Sequence, residues 1–334
     1  MSRTTKFGLR LPPLPLDRGP ELLTAFAERS ERRGLSSFWI PDRLIPVGGY
    51  LRFAETEPLL EPMTALALAA GRTTNISLGT GVIIAPLRHP LVLAKQAATL
   101  HHLSGGRLIL GLGTGWAPEE FDALQVPREE RGRRTDEAIE ILRTAFLGQP
   151  FDHDGPFFAF RGAQIDPASA RGPALWGSGG GGAPEFRSAT ASGSAPAVIR
   201  RLAQLDGWLT RPAATPDQIA AEFSDVAEHA RRIGRDPDEI ELGHVNFAHL
   251  VDGPRDEVLA EQQRVFAEVI GQQMPFERQR EVHWTGTLGD VSERIERLIA
   301  SGVQHIVFHP LRADLEQLDL WVDGVLRPLG VEMS

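Results

Sequence analysis

NISLGTGVIIAPLRHPLVLAKQAATLHHLSGGRLILGLGTG, residues 75–115, reads as one complete β-α-β unit. Its first run, 75–86, is rich in β-branched residues and ends at Pro86. Its middle, 89–106, has helical spacing and stops at Gly105-Gly106, and its last, 107–115, is a short apolar run closed by glycines. A parallel neighbour is reached only through a crossover, so strands alternating with helices of this length build a parallel sheet.

Working outward, the alternation recurs along the chain. Strand-like runs fall at 6–11, 35–42, 75–86, 107–115, 173–179, 206–211, 239–250 and 305–310, each trailed by a helical pattern. This count predicts an α/β fold, a (β/α)8 TIM barrel forming a single domain over 1–334. Insertions are expected after strands 4, 5 and 7, at about 151–166, 181–193 and 262–286. The first reads as a hairpin around Asp154-Gly155. A doubly wound open sheet with extra elements is the other arrangement that the alternation allows.

The composition of the 334 residues, 42% hydrophobic and 24% charged, suits a chain that buries a sizeable core. A net charge of −9 with no long basic run argues against nucleic acid or an anionic membrane as partner. A small-molecule ligand is the expected partner. The absence of cysteine removes disulfides, thiolate nucleophiles and Cys-ligated metals, and the histidines have no partners at metal-site spacing, so no metal is expected. With neither a signal-like apolar segment nor a membrane-length one, a cytoplasmic location is expected.

GLGTGW, 111–116, looks like the glycine fingerprint of a dinucleotide site. That fingerprint needs a small sixth residue for helix packing, and Trp116 stands there. The glycines are better read as a strand end where the backbone can approach a flat ligand closely.

From 78 to 143 the sequence LGTGVIIAPLRHPLVLAKQAATLHHLSGGRLILGLGTGWAPEEFDALQVPREERGRRTDEAIEILR resembles the bacterial luciferase-like superfamily, whose members use reduced FMN or the deazaflavin F420 on a barrel. The third strand, its helix, the fourth strand and the acidic EEF turn occur together and in order. The likeness extends with less fidelity through FWIPD (38–42), the LWGSGG and DGW segments, and 284–310, and so covers most of the chain.

The resemblance implies a non-prolyl cis peptide at Gly81-Val82, bulged against the flavin ring, and places Asp42 close to that ring. It also implies that Thr114, Gly115 and Trp116 lie beside the ring, with Glu119 and Glu120 facing solvent. Family dehydrogenases of the F420 type commonly carry histidine directly after the aspartate, whereas this chain has Arg43. Arginine stays protonated and makes a poor base, but it can anchor an anionic flavin or an oxyanion.

In the family pattern a glycine turn after strand five leads straight into a serine-capped helix that holds the cofactor phosphate. Here the halves look pulled apart. Ser178, Gly179 and Gly180 resemble the turn, Ser194 resembles the cap with Arg200 or Arg201 near the phosphate, and 181–193 is inserted between them.

Strand ends on one face are expected to bring together Arg10, Asp42, Arg211, Asn246, His249 and His309. Of these, His249 and His309 can serve as acid or base because an imidazole titrates near neutrality. The implied activity is a monooxygenase using FMNH2 and O2 on a small organic substrate. The alternatives are an F420-dependent hydride transfer and a flavin-binding protein without catalysis. A separate flavin or F420 reductase and a homodimer are the further expected partners. Loop 43–58, with Tyr50 and Phe53, and the insertion after strand five are expected to form a lid.

Overall fold

The structure, a computed structural model, describes residues 4–45, 59–179, 194–271 and 274–331. The lid residues Tyr50 and Phe53 and the insertion 181–193 lie outside them. The strands are β1 (Lys6–Arg10), β2 (Ser37–Ile40), β3 (Ser77–Thr80), β4 (Ile83–Ile84), β5 (Leu108–Gly113), β6 (Phe151–Asp154), β7 (Ala159–Ala163), β8 (Ala174–Gly179), β9 (Gly207–Thr210), β10 (Glu241–Ala248) and β11 (His305–Pro310).

Around the barrel the order is β1, β2, β3, β5, β8, β9, β10, β11, with β11 paired back to β1 and every ladder parallel. The closed eight-stranded ring with outer helices is the expected (β/α)8 barrel; no open sheet edge remains in it. The expected third strand is split into β3 and β4 on either side of Gly81-Val82, a non-prolyl cis peptide.

Proline marks where many of the helices start. Pro62, Pro90, Pro118, Pro196 and Pro216 each open a helix, at a position where the missing N–H has no intrahelical partner to lose. Thr215 with Gln218 adds a capping box to the helix that Pro216 opens, and Thr287 with Asp290 forms one for the helix Leu288–Ala300.

Two tryptophans fill the barrel. Trp39 and Trp176 lie 5.4 Å apart between ring centroids, packed with Leu209, Val245 and Val307. Glycines on neighbouring strands make the room: a Cβ on Gly79 would sit 2.2 Å from the Trp39 ring, and one on Gly207 would sit 2.3 Å from that of Trp176. Below them a polar chain closes the N-terminal end. Trp39 Nε1 donates to Ser37 Oγ (2.7 Å), Ser37 Oγ meets His305 Nε2 (2.6 Å), His305 Nδ1 meets Glu241 Oε1 (2.9 Å), and Lys6 donates to Glu241 Oε2 (2.8 Å).

The hairpin expected after the fourth barrel strand is β6–β7, antiparallel. Buried Glu137 anchors it, accepting from Phe157 N (3.2 Å) and Phe158 N (2.9 Å) and meeting His153 Nε2 (3.0 Å). After β10 come the helices Arg255–Val269 and Phe276–Val282. The insertion boundary expected at 262 therefore falls inside a helix, because the apolar residues Val258, Val265 and Phe266 pack as one face across it. Among the described residues no helix is long and apolar enough to cross a membrane.

Candidate active site

The strand C-termini converge at one mouth. Side chains alternate along a strand, so Arg10 shares the inward direction of Gly8, His309 that of Val307, Ser178 that of Trp176 and Phe247 that of Val245. Gly111, Gly113 and Gly115 belong to this end. A Cβ on Gly111 would lie 2.1 Å from Thr80 O, on Gly113 2.7 Å from Val82 Cγ2, and on Gly115 2.7 Å from Ile84 Cγ2. The GLGTG glycines thus admit the segment that links β3 to β4. Thr80 Oγ1 reinforces the junction, donating to Gly111 O and accepting from Gly111 N, both at 2.8 Å.

Asp42, just past β2, is held from two sides. Its Oδ2 accepts from Ile84 N (2.9 Å) and its Oδ1 from Arg88 (2.9 Å). Arg43 faces a different carboxylate. Its Nη1 lies 3.3 Å from Glu120 Oε2, and its guanidinium stacks 4.5 Å from the Trp116 ring centroid. Burial lowers the Arg43 pKa, and Glu120 works against that shift. Glu120 Oε1 also accepts from Leu44 N (2.7 Å). The expectation that Glu120 faces solvent is wrong: its side chain is 0% exposed, because Arg43 and Leu44 draw it inward. Glu119 is exposed as expected.

On the far side of the mouth, Arg211 donates to both oxygens of Glu222 at 3.0 Å. His309 is buried and packs 4.8 Å from the Phe247 ring. Burial, with Arg10 nearby, holds its imidazole well below the usual histidine range. His249 lies just beyond β10 with Nε2 3.6 Å from Glu261, and burial lowers its pKa too. Asn246 does not join the mouth. It points outward into the helix layer, where Oδ1 meets His283 Nδ1 (2.7 Å) and Nδ2 donates to Val282 O (2.8 Å).

The expected phosphate cradle is described in part. Gly179 has φ +153, a backbone setting that favours glycine, and its carbonyl accepts from Trp208 Nε1 (3.0 Å). Gly180 lies outside the described residues. Ser194 is not the helix cap. Pro196 takes the first helical position, which makes Ala195 the cap, and Ser194 Oγ instead donates to Glu222 (3.3 Å). Arg200 is exposed, and Arg201 is turned away to Asp136 (2.6 Å) and Gly132 O (2.9 Å).

The mouth suits a flat ring. Asp42, Val82, Thr114, Gly115, Trp116, Ser178 and Gly179 are among the places where otherwise buried strand ends open to solvent. They offer apolar side chains, backbone N–H groups and hydroxyls on four consecutive barrel strands. That combination fits a flavin or deazaflavin. A cavity of about 560 Å³ lies at the opposite end, lined by residues such as Ser77, His101, His102 and Arg171, and holds none of the expected site residues. Sequence reasoning missed Glu120, Arg88, Glu222 and His283. The acidic EEF turn was the one available signal for Glu120.

Comparison with known proteins agrees with this architecture. The family model described as luciferase-like monooxygenase matches residues 11–305. The chain is 30% identical over 254 residues to 4-hydroxyprotoasukamycin monooxygenase of Streptomyces nodosus subsp. asukaensis, covering 74% of this chain and 64% of that one. It is 28% identical over 313 residues to an F420-dependent glucose-6-phosphate dehydrogenase of Microbacterium testaceum, covering 90% of each. The solved monooxygenase RslO1 from Streptomyces bottropensis superposes with a TM-score of 0.78 at 21% identity, covering 97% of this chain and 99% of that one, which speaks to the fold. With a family model covering residues 11–305 and relatives that align along most of the chain, the chain belongs to the luciferase-like monooxygenase family.

Proposed function

We propose that this chain is a reduced-flavin-dependent monooxygenase that uses FMNH2 and O2 on a small organic substrate. The observation that carries this reading is the state of Arg43. The position after Asp42 holds a cation bound to buried Glu120 and stacked on Trp116, where an acid or base would be needed for hydride chemistry on an alcohol. His309 and His249, held low by burial, are weak proton acceptors in its place. The relationship to a named monooxygenase supports the same direction.

When bound, the reduced flavin supplies the electrons that activate oxygen. The protein's part is binding, orientation and exclusion of water. Asp42 fixes the Ile84 backbone beside Val82, while Val82, Thr114, Gly115 and Trp116 line the ring side. Ser178 and Gly179, continuing toward Gly180, offer hydroxyl and backbone donors for a phosphate, with Ser194 and Arg200 at the far border of that region. Arg43 contributes a fixed positive charge for a developing anion. A separate reductase would deliver the FMNH2, and a homodimer is the assembly in keeping with the family resemblance.

The alternative, hydride transfer to or from F420, is favoured by the F420-dependent relative that aligns over 90% of both chains. Anaerobic titration of the purified protein with FMNH2 and with reduced F420 separates the readings. FMNH2 binding at micromolar concentration is expected, followed by oxygen consumption coupled to substrate. Binding of F420 alone would overturn the proposal in favour of the alternative.

A further inference from the structure

The arginines around the mouth differ in one respect. Arg88 has Asp42 at 2.9 Å, Arg43 has Glu120 at 3.3 Å, Arg211 has Glu222 at 3.0 Å and Arg312 has Glu268 at 2.6 Å. Among the described residues Arg10 has no carboxylate within ion-pair distance, and its Nε is covered from solvent without a hydrogen-bond acceptor. Arg43 and Arg211 also have a covered Nε, but each has a carboxylate to balance its charge. Arg10, partly exposed at the mouth, is the guanidinium without one, and a cation whose Nε is shielded is favoured by an anionic partner.

Arg10 ends β1, and its preceding residue Leu9 pairs with Phe308, which sets Arg10 level with His309 at the mouth. The residues suited to a flavin lie past β2, β3, β5 and β8. Arg10, His309, Phe247 and Arg211 lie on or just past β1, β11, β10 and β9, the other half of the ring. The half of the mouth left to the substrate is therefore where the unmatched cation sits, near His309, whose ring packs 4.8 Å from that of Phe247.

We propose that Arg10 binds an anionic oxygen substituent of the substrate, so that the substrate class is an organic anion such as a carboxylate or an ionised phenol. The inference rests on the flavin occupying the β2 to β8 side. Burial, with Arg43 nearby, pushes the Arg10 guanidinium down to about 9, a shift that a neighbouring anion opposes. An anion there would complete a charge-assisted contact in a covered site, which discriminates strongly against a neutral isostere.

The test uses the full chain and three probes: benzoate, phenyl phosphate and neutral benzamide, with affinity measured calorimetrically and the FMN dissociation constant measured in parallel. At least one anion is expected to bind the wild-type protein about tenfold or more tightly than benzamide. Arg10→Met should abolish that preference, Arg10→Lys should retain part of it, and both should keep the wild-type FMN affinity. Equal binding of anions and benzamide by the wild-type protein would overturn the proposal. So would a preference that survives in Arg10→Met, or an Arg10→Met that loses FMN instead. If the wild-type protein binds no FMN, the functional reading fails, while an anion preference that vanishes in Arg10→Met still stands for this site.

Discussion

Asp42 Oδ2 accepts the backbone N–H of Ile84 at 2.9 Å, so the segment just past β2 holds the end of β4 beside it at the mouth. The other oxygen is committed to Arg88. Removing the carboxylate leaves the covered Ile84 N–H without its acceptor and Arg88 with Glu61 (3.0 Å) as its remaining carboxylate. Asp42→Ala is expected to destabilise the protein by about 2–4 kcal/mol. Asp42→Asn, which still offers Ile84 an oxygen, should cost about half as much. Urea denaturation reads both, and flavin titration should show the same order of loss. Equal stability of Asp42→Ala and the wild-type protein would show that the two bonds contribute nothing net.

The Arg43–Glu120 pair makes a second prediction. Glu120 is fully buried, and its two oxygens serve Arg43 and Leu44 N separately. Glu120→Ala strands a mostly buried cation and should cost about 3–5 kcal/mol, the usual penalty for halving a buried pair. Arg43→Met in the Glu120→Gln background removes both charges and should recover most of that loss. A double-mutant cycle by thermal unfolding gives the coupling, and additive losses would rule the pair out as a unit.

How far the sequence could be read depended on how local each determinant is. The eight βα units were legible because strand and helix periods are written within each segment, and the prolines at helix starts sharpen them. Gly81-Val82 was legible through its neighbours in the family resemblance. Burial of Glu120 was not, since its partner Arg43 lies 77 residues away in the chain. The cap shifted from Ser194 to Ala195 because a proline two residues after the serine sets the first helical turn. Asn246 was misplaced because a one-residue difference in strand phase reverses a side chain, and only the β10–β11 register fixes that phase.

Acid stability follows from the buried imidazoles. Burial holds His244 and His283 down to about 3, helped by Arg211 and His283 at the former and by Arg294 at the latter. In the unfolded chain both titrate near ~6.5. Below that pH the unfolded state takes up protons that the folded state refuses. The stabilisation from these two residues is complete above about 6.5 and is lost as the pH falls toward about 3. Two such groups give a slope of about 2.7 kcal/mol per pH unit at most. His309 and His249, also held low by burial, add to the measured slope, so His283→Gln, which can still donate to Asn246, should lower it by up to about 1.4 kcal/mol per pH unit. Unfolding free energy measured from pH 7 to pH 4 checks this, and an unchanged slope in the variant would remove His283 from the account.

The last prediction concerns the barrel interior. A Cβ on Gly79 would lie 2.2 Å from Cε3 of Trp39, and the indole cannot retreat, because Trp176 and His305 pack against it at 5.4 and 5.6 Å. Its Nε1 is also tied to Ser37 Oγ, which His305 and, through it, Glu241 hold in place. Gly79→Ala should therefore cost about 3 kcal/mol or more through overpacking. Trp39→Phe alone should cost a similar amount by opening a cavity and leaving Ser37 with one partner fewer. Combined, the smaller ring makes room for the methyl group, and the double variant should be more stable than the sum of the two losses by about 1–2 kcal/mol. Because Gly81 rests on the same indole, with its Cβ position 3.6 Å from Trp39 Cε3, flavin affinity should follow the same pattern of loss and partial rescue. Strict additivity in the denaturation cycle would mean that the two positions do not share the space the packing assigns them.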